Sequence, residues 1–108
     1  ELYRDYFLFW ESWADELVSF LNEKANVRKQ KECIQQAVDN LVKMRSLLNE
    51  EKAKSLDKFA AELATVKNVL FQSYLNSADF SYLKNKMERI KAKVHQGFVF
   101  SKIKKDLR

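Results

Sequence analysis

The sequence has no proline, one glycine (Gly97), one cysteine (Cys33) and one histidine (His95) among its 108 residues. Proline and glycine usually form turns and begin β-hairpins, so their near absence argues against a β-rich fold and favours helices. Hydrophobic residues make up 46% of the chain and charged residues 32%, which is typical of a globular protein and not of a disordered one. At this length we expect a single domain covering residues 1–108.

The same scarcities exclude several classes of function. Phosphate-binding loops need several glycines close to the bound phosphates, and this chain has only one. A di-iron site in a helical bundle needs two Glu-x-x-His pairs, whereas the residue three positions before His95 is Ala92. A serine or cysteine nucleophile would need the same histidine as its base, and no pattern in the sequence brings Cys33 near it. We therefore expect no enzymatic activity, no cofactor and no metal ion.

The cysteine count and the hydropathy restrict the setting of the protein. One cysteine excludes an internal disulfide and a multi-thiolate metal site, and it favours a reducing compartment such as the cytoplasm. The longest uninterrupted apolar run, residues 6–10, is too short to span a membrane. The chain opens at Glu1 without an initiator methionine, so we expect it to be part of a longer protein.

Apolar residues recur every three or four positions in four segments, as they do on one face of an α-helix. These residues are Tyr3, Phe7, Trp10, Ala14, Leu17 and Leu21; Ile34, Ala37, Leu41, Met44 and Leu48; Leu56, Phe59, Leu63, Val66 and Leu70; and Phe80, Leu83, Met87, Ile90 and Val94. The pattern predicts an all-α fold, a compact three- or four-helix bundle with a short C-terminal helical extension over residues 99–108.

The number of long helices depends on residues 27–75. The second and third segments share a seven-residue repeat of the coiled-coil kind, and this repeat slips by one position across residues 49–55. A tight turn with Ser55 as the N-cap would give four long helices. One long helix with a local defect would give three. Both interpretations fit the sequence.

Two further boundaries are predicted closer to the C-terminus. Asn76 and Ser77 precede a turn that contains Asp79, as expected at a capped helix N-terminus. His95 followed by Gly97 predicts that this helix ends just before the glycine, with the histidine as a cation in the last turn.

Seven of the fourteen aromatic residues fall within the first twenty positions. The apolar arc of this first helix covers about half of its circumference, which is more than one neighbouring helix can cover. The helix therefore either packs between two others or presents an aromatic strip to a partner. We predict Phe9, Trp13 and Phe20 as partner-binding residues, with core packing as the alternative. The partner would be another protein or another part of the parent polypeptide.

The net charge of +5 conceals an uneven distribution. Residues 1–23 carry six acidic side chains and one basic one, a net charge of −5, whereas residues 84–108 carry nine basic and two acidic ones, a net charge of +7. We expect the acidic first helix to attract the basic one and lie beside it. The basic region also supports a second hypothesis, the binding of nucleic acid or acidic phospholipid. Its candidate residues are Tyr82, Lys86, Arg89, Lys93, Lys102, Lys104, Lys105 and Arg108.

The sequence thus favours a non-enzymatic helical module for protein interaction or assembly, with the binding of anionic surfaces as the alternative. Salt separates the two, because phosphate binding weakens steeply as salt rises and an aromatic interface is much less sensitive. A third possibility, a structural spacer, predicts no ligand and a fully buried first helix.

Overall fold

The structure, a computed structural model, describes residues 1–72 and 74–108. It contains α1 (Leu2–Ser19), α2 (Val27–Ser46), α3 (Glu50–Leu70), α4 (Ser77–Phe98), the short α5 (Phe100–Ile103) and a 3-10 turn over Lys104–Asp106. These residues form no β-strand, only an isolated bridge between Leu48 and Leu107. The all-α prediction is confirmed, and the number of long helices is four.

The four long helices form an elongated bundle of 43 × 22 × 19 Å in which consecutive helices are antiparallel. Lys67 Nζ donates to Gln35 Oε1 at 2.7 Å, and Arg45 Nη2 donates to Asp57 Oδ2 at 2.9 Å, so α2 and α3 run in opposite directions. α1 packs against α2 and α4, and α3 packs against the same two helices. The bundle therefore has two ends. The loop end holds the α1–α2 and α3–α4 connections, and the tail end holds the α2–α3 turn and the C-terminal residues.

The apolar faces predicted from the periodicity form the core. Every residue assigned to those faces is buried in one cluster, and Cys33, Ala53, Phe98 and Ile103 join it. Gln30 is a buried polar residue at the loop end, where its Nε2 donates to the carbonyls of Phe20 at 2.6 Å and Asn22 at 3.2 Å. This side chain satisfies backbone acceptors at the end of α1 and holds the first connection in place.

The turn between α2 and α3 corrects one prediction. Ser55 is not an N-cap but lies inside α3, where its Oγ donates to the Glu51 carbonyl at 3.4 Å. The N-cap is Asn49, whose Oδ1 accepts from Lys52 N at 2.8 Å. The Asn49 amide satisfies an N–H of the first turn of α3 that would otherwise have no partner. The backbone is therefore non-helical at Asn49, with α2 ending before this residue and α3 beginning after it. A single helix over residues 27–75 is thereby excluded.

The predicted start of α4 is confirmed, whereas its predicted end is wrong. Asn76 forms the predicted cap in a reciprocal capping box, accepting from Asp79 N and donating its own N–H to the Asp79 carboxylate, both at 2.9 Å. The predicted end before Gly97 is wrong, because α4 continues to Phe98 and no glycine has a positive φ. Val99 ends the helix in an extended conformation. A hydrogen bond from Tyr3 Oη to the Phe98 carbonyl, 2.6 Å long, satisfies a terminal acceptor that a glycine cap would otherwise serve.

The C-terminal extension folds back over the tail end of the bundle. Ile103 is fully buried, and the Arg4 guanidinium lies 4.1 Å from the centroid of the Phe100 ring. Main-chain hydrogen bonds run from Asn49 N to the Asp106 carbonyl at 2.7 Å and from Arg108 N to the Leu47 carbonyl at 2.9 Å. The extension is therefore anchored to α1 and to the α2–α3 turn.

Candidate interaction surfaces

The first helix has neighbours on both flanks. On the flank that faces α2, the ammonium of Lys43 lies 5.5 Å from the centroid of the Tyr6 ring. On the flank that faces α4, Glu11 Oε2 lies 2.7 Å from His95 Nδ1. Together α2 and α4 cover most of the broad apolar arc of α1. The part that remains uncovered is the edge of this arc on the α2 flank.

That edge carries the three aromatic residues predicted from the sequence. Phe9 is 52% exposed, whereas Trp13 and Phe20 are half-buried against the core. The ammonium of Lys29 lies 5.5 Å from the Trp13 ring centroid and 5.9 Å from that of Phe20. We call Phe9, Trp13 and Phe20 the aromatic edge. Phe9 is its open member, and Lys29 lies across the other two.

Lys29 is held in this position by two carboxylates. Its Nζ lies 3.1 Å from Glu32 Oε1 and 3.4 Å from Glu16 Oε1. The hydrogen bond to Glu32, together with the one to Glu16, raises the pKa of Lys29 above its usual range. The sequence does not predict this contact, because the spacing of Lys29 and Glu32 indicates an ion pair within α2 but not that the aromatic rings of α1 lie beneath the lysine.

The contact between the acidic and basic helices forms as expected. Lys91 of α4 makes an ion pair with Asp15 of α1 and lies 3.0 Å from Glu88 on its own helix. Partial burial opposes the charge on Lys91, but the hydrogen bonds to Asp15 and Glu88 more than offset that effect, so its pKa is raised. This ion pair joins the acidic helix to the basic one and neutralises the charge of Asp15 within the bundle.

The predicted anion-binding residues fall into two groups. The α4 row consists of Tyr82, Lys86, Arg89 and Lys93, on the flank of α4 that faces α3, where Arg89 makes an ion pair with Glu62. Tyr82 is 51% exposed, and the Lys86 ammonium lies 5.8 Å from its ring centroid. Lys86 and Lys93 form no ion pair with any residue that the structure describes.

The second group consists of Lys102, Lys104, Lys105 and Arg108, all exposed on the C-terminal extension at the tail end. Tyr82 is in the second turn of α4, close to the loop end. Eleven residues of helix, about 16 Å, separate Tyr82 from Lys93, and the extension begins only after a further turn. The structure therefore places the basic residues along the whole bundle and does not gather them into one patch.

Two features are absent from the described residues. Residues 1–72 and 74–108 contain no group of three or more histidine, cysteine, aspartate or glutamate side chains placed to hold a metal ion. Within the same ranges, no helix has the length and hydropathy needed to cross a membrane.

Comparison of the chain with models of protein families, with curated proteins and with solved structures gave no match. The class that the fold defines is a compact all-α bundle of four long helices followed by a short C-terminal one.

Proposed function

We propose that this chain is a non-enzymatic module for protein–protein interaction or assembly and that it binds its partner through the aromatic edge of α1. The observation that carries the proposal is the 52% exposure of Phe9 beside Trp13, in a helix whose Tyr3, Phe7 and Trp10 are buried. The partner is another protein or another part of the parent polypeptide.

The exposed half of Phe9 is a substantial source of binding free energy. About 100 Å² of apolar surface is worth about 2.5 kcal/mol when a partner covers it. Trp13 follows Phe9 by one helical turn, and the flexible side chain of Lys29 lies over it. The ion pairs of Lys29 with Glu16 and Glu32 are partly exposed to solvent and therefore weak, so the lysine can move aside and a partner could extend its contact from Phe9 onto the indole. Aromatic anchors of this kind are frequent at the centres of interfaces.

Site-specific photo-crosslinking tests the proposal. A photoreactive p-benzoylphenylalanine replaces Phe9 in one variant and Leu8 in a matched control, and each is irradiated in the cells that make the protein. Leu8 is a suitable control because it is 59% exposed on the same helix, away from the aromatic edge. We expect position 9 to yield a discrete adduct at least several times more abundant than any from position 8. Equal yields, or no adduct at position 9, would refute the proposal.

The second candidate function is the binding of anionic surfaces, either nucleic acid or acidic phospholipid. The exposed side chains of Tyr82 and Lys93, with the half-buried Lys86, support it, since no described residue forms an ion pair with either lysine. Binding of an oligonucleotide or of anionic vesicles should weaken steeply with salt, by roughly 0.7 to 0.9 logarithmic units per phosphate contact for each tenfold rise. Lys86→Glu with Lys93→Glu should abolish it if the α4 row is the site. If the C-terminal extension is the site instead, Lys102→Glu with Lys105→Glu should abolish binding.

A further inference from the structure

A cavity of about 550 Å³ lies at the loop end, between the α1–α2 connection and the first two turns of α4. Its apolar floor is formed by Leu21 and Phe80, which are 2% and 8% exposed. Cavities that bind small molecules generally measure about 300 to 1,000 Å³ and combine an apolar lining with a few polar groups. None of Phe9, Trp13 and Phe20 lines this cavity.

The rim of the cavity is polar and carries positive charge. Ser77, Ser81 and Lys84 are spaced at i, i+4 and i+7 on α4, so they form one stripe along the side of the cavity. Lys24 faces them from the α1–α2 connection. Neither lysine forms an ion pair with any described residue. Two ammonium groups and two hydroxyls are therefore available as hydrogen-bond donors above an apolar floor.

A second cavity, of about 420 Å³, adjoins the first at Glu23 and Phe80. Most of its lining is apolar or aromatic: Val27, Leu70, Phe71, Tyr74, Leu75 and Phe80. Lys31 also lines it, with its ammonium 4.9 Å from the Phe71 ring centroid. Across both cavities, the charged lining residues are three lysines and the single carboxylate of Glu23, so the pair favours an anion.

We propose that the loop end binds a single-chain amphiphilic carboxylate, of the chemical class of medium-chain fatty acids. The carboxylate accepts hydrogen bonds from Lys24 and Lys84 in the first cavity, with the Ser77 and Ser81 hydroxyls as further donors. The alkyl chain lies across Phe80 and enters the second cavity, where it contacts the apolar lining. A cationic amphiphile would fit less well, because the three lysines would repel it. A small inorganic anion would also fit less well, because it would not cover the apolar lining of the cavities.

Titration of the ¹⁵N-labelled chain with decanoate, followed by amide chemical shifts, tests this proposal. Decanoate is kept below its micelle concentration, and decanol and decyltrimethylammonium are titrated in parallel. The double variant Lys24→Glu, Lys84→Glu removes the two donors. Lys58→Glu, at an exposed position of α3 that lines neither cavity, is the matched control. All three positions are exposed, so the variants should keep the fold, and circular dichroism verifies that they do.

We expect decanoate to cause saturable shifts confined to residues 21–31, 70–72 and 74–84. The double variant should raise the dissociation constant by at least tenfold, and Lys58→Glu should leave it unchanged. Decanol should bind at least tenfold more weakly than decanoate, because it offers no charge to the lysines. The proposal is overturned by the absence of saturable shifts, by shifts centred elsewhere, or by equal binding of the cationic amphiphile. Binding to anionic vesicles without binding to free decanoate would assign the lysines to a membrane surface and would also overturn it.

Discussion

Tyr3 at the start of α1 donates a hydrogen bond from its hydroxyl to the carbonyl oxygen of Phe98 at the end of α4, over a distance of 2.6 Å. The two residues are 95 positions apart, and Tyr3 is fully buried. This contact joins α1 to α4 at the tail end of the bundle, one residue before the helix is ended by Val99. A buried acceptor at a helix end needs such a partner.

Tyr3→Phe should destabilise the protein by about 1 to 2 kcal/mol, because it leaves the Phe98 carbonyl buried without its donor. The ring itself is preserved, so the packing of the core is retained. Urea denaturation at pH 7, followed by circular dichroism, measures the effect. Tyr82→Phe is the matched control, since that hydroxyl is at an exposed position and its removal should change the free energy of unfolding by less than about 0.5 kcal/mol.

The same tyrosine should make stability depend on pH in the alkaline range. Burial raises the pKa of Tyr3 well above the value of about 10 found in an unfolded chain. Above pH 10 the unfolded chain loses the phenolic proton while the folded chain retains it, so the free energy of unfolding falls as pH rises. Between pH 10 and pH 11.5, Tyr3→Phe should show a shallower decline than the wild type, by up to about 1.4 kcal/mol per pH unit. Parallel declines in the two proteins would contradict the assigned burial.

Asn49 should contribute more to stability than a cap alone would. Its side chain accepts from Lys52 N at 2.8 Å and donates to Asp106 Oδ1 at 3.3 Å, so it serves both α3 and the extension. Asn49→Ala should cost about 1 to 2 kcal/mol, measured by denaturant unfolding. Ser55→Ala should cost less than about 0.5 kcal/mol, since Ser55 caps nothing. A larger loss at Ser55 than at Asn49 would show that the helix boundary is misplaced.

Cys33 should be unreactive in the folded protein. The side chain is fully buried, and this burial raises the pKa of the thiol, which lowers the fraction of reactive thiolate. Reaction with Ellman's reagent at pH 8 should be at least a hundredfold slower in the native protein than in 6 M guanidinium. A native rate close to the denatured rate would place Cys33 at the surface.

The features that the sequence predicted correctly depend on neighbours along the chain. The buried faces follow from helical spacing. The apolar residues of the four periodic segments, from Tyr3 in the first to Val94 in the last, could therefore be assigned to the core without knowledge of the fold. The capping box at Asn76 and Asp79 was equally accessible, because both partners lie within one turn. The roles of Phe9, Trp13 and Phe20 in binding, and those of the basic residues, are still predictions.

The features that the sequence did not predict depend on contacts between distant segments. Asn49 outcompetes Ser55 as a cap partly because Asp106, 57 positions away, holds its amide. Gly97 is not a stop, because Tyr3 satisfies the end of α4 instead. The position of Lys29 over Trp13 likewise depends on how α1 and α2 pack, and no local pattern encodes it.

Lys29→Ala should uncover Trp13. In a Trp10→Phe background, where Trp13 is the only tryptophan, this change should raise the acrylamide quenching constant by about 1.5-fold or more, because the lysine stem no longer lies over the indole. Lys31→Ala is the matched control, since Lys31 lies on α2 but over Phe71. Equal quenching in both variants would show that Lys29 does not shield the ring.

The accessibility of Trp13 in the monomer is the most direct test of the account as a whole, because an interaction module requires an open aromatic edge. Acrylamide quenching compares Trp10→Phe, which reports Trp13, with Trp13→Phe, which reports the buried Trp10, at concentrations where sedimentation shows a monomer. Trp10 Nε1 has no hydrogen-bond partner among the described residues, so its replacement removes no hydrogen bond. We expect Trp13 to be quenched several times more strongly than Trp10. Equal protection of both tryptophans would make α1 part of the core throughout and would contradict the proposed role of its aromatic edge.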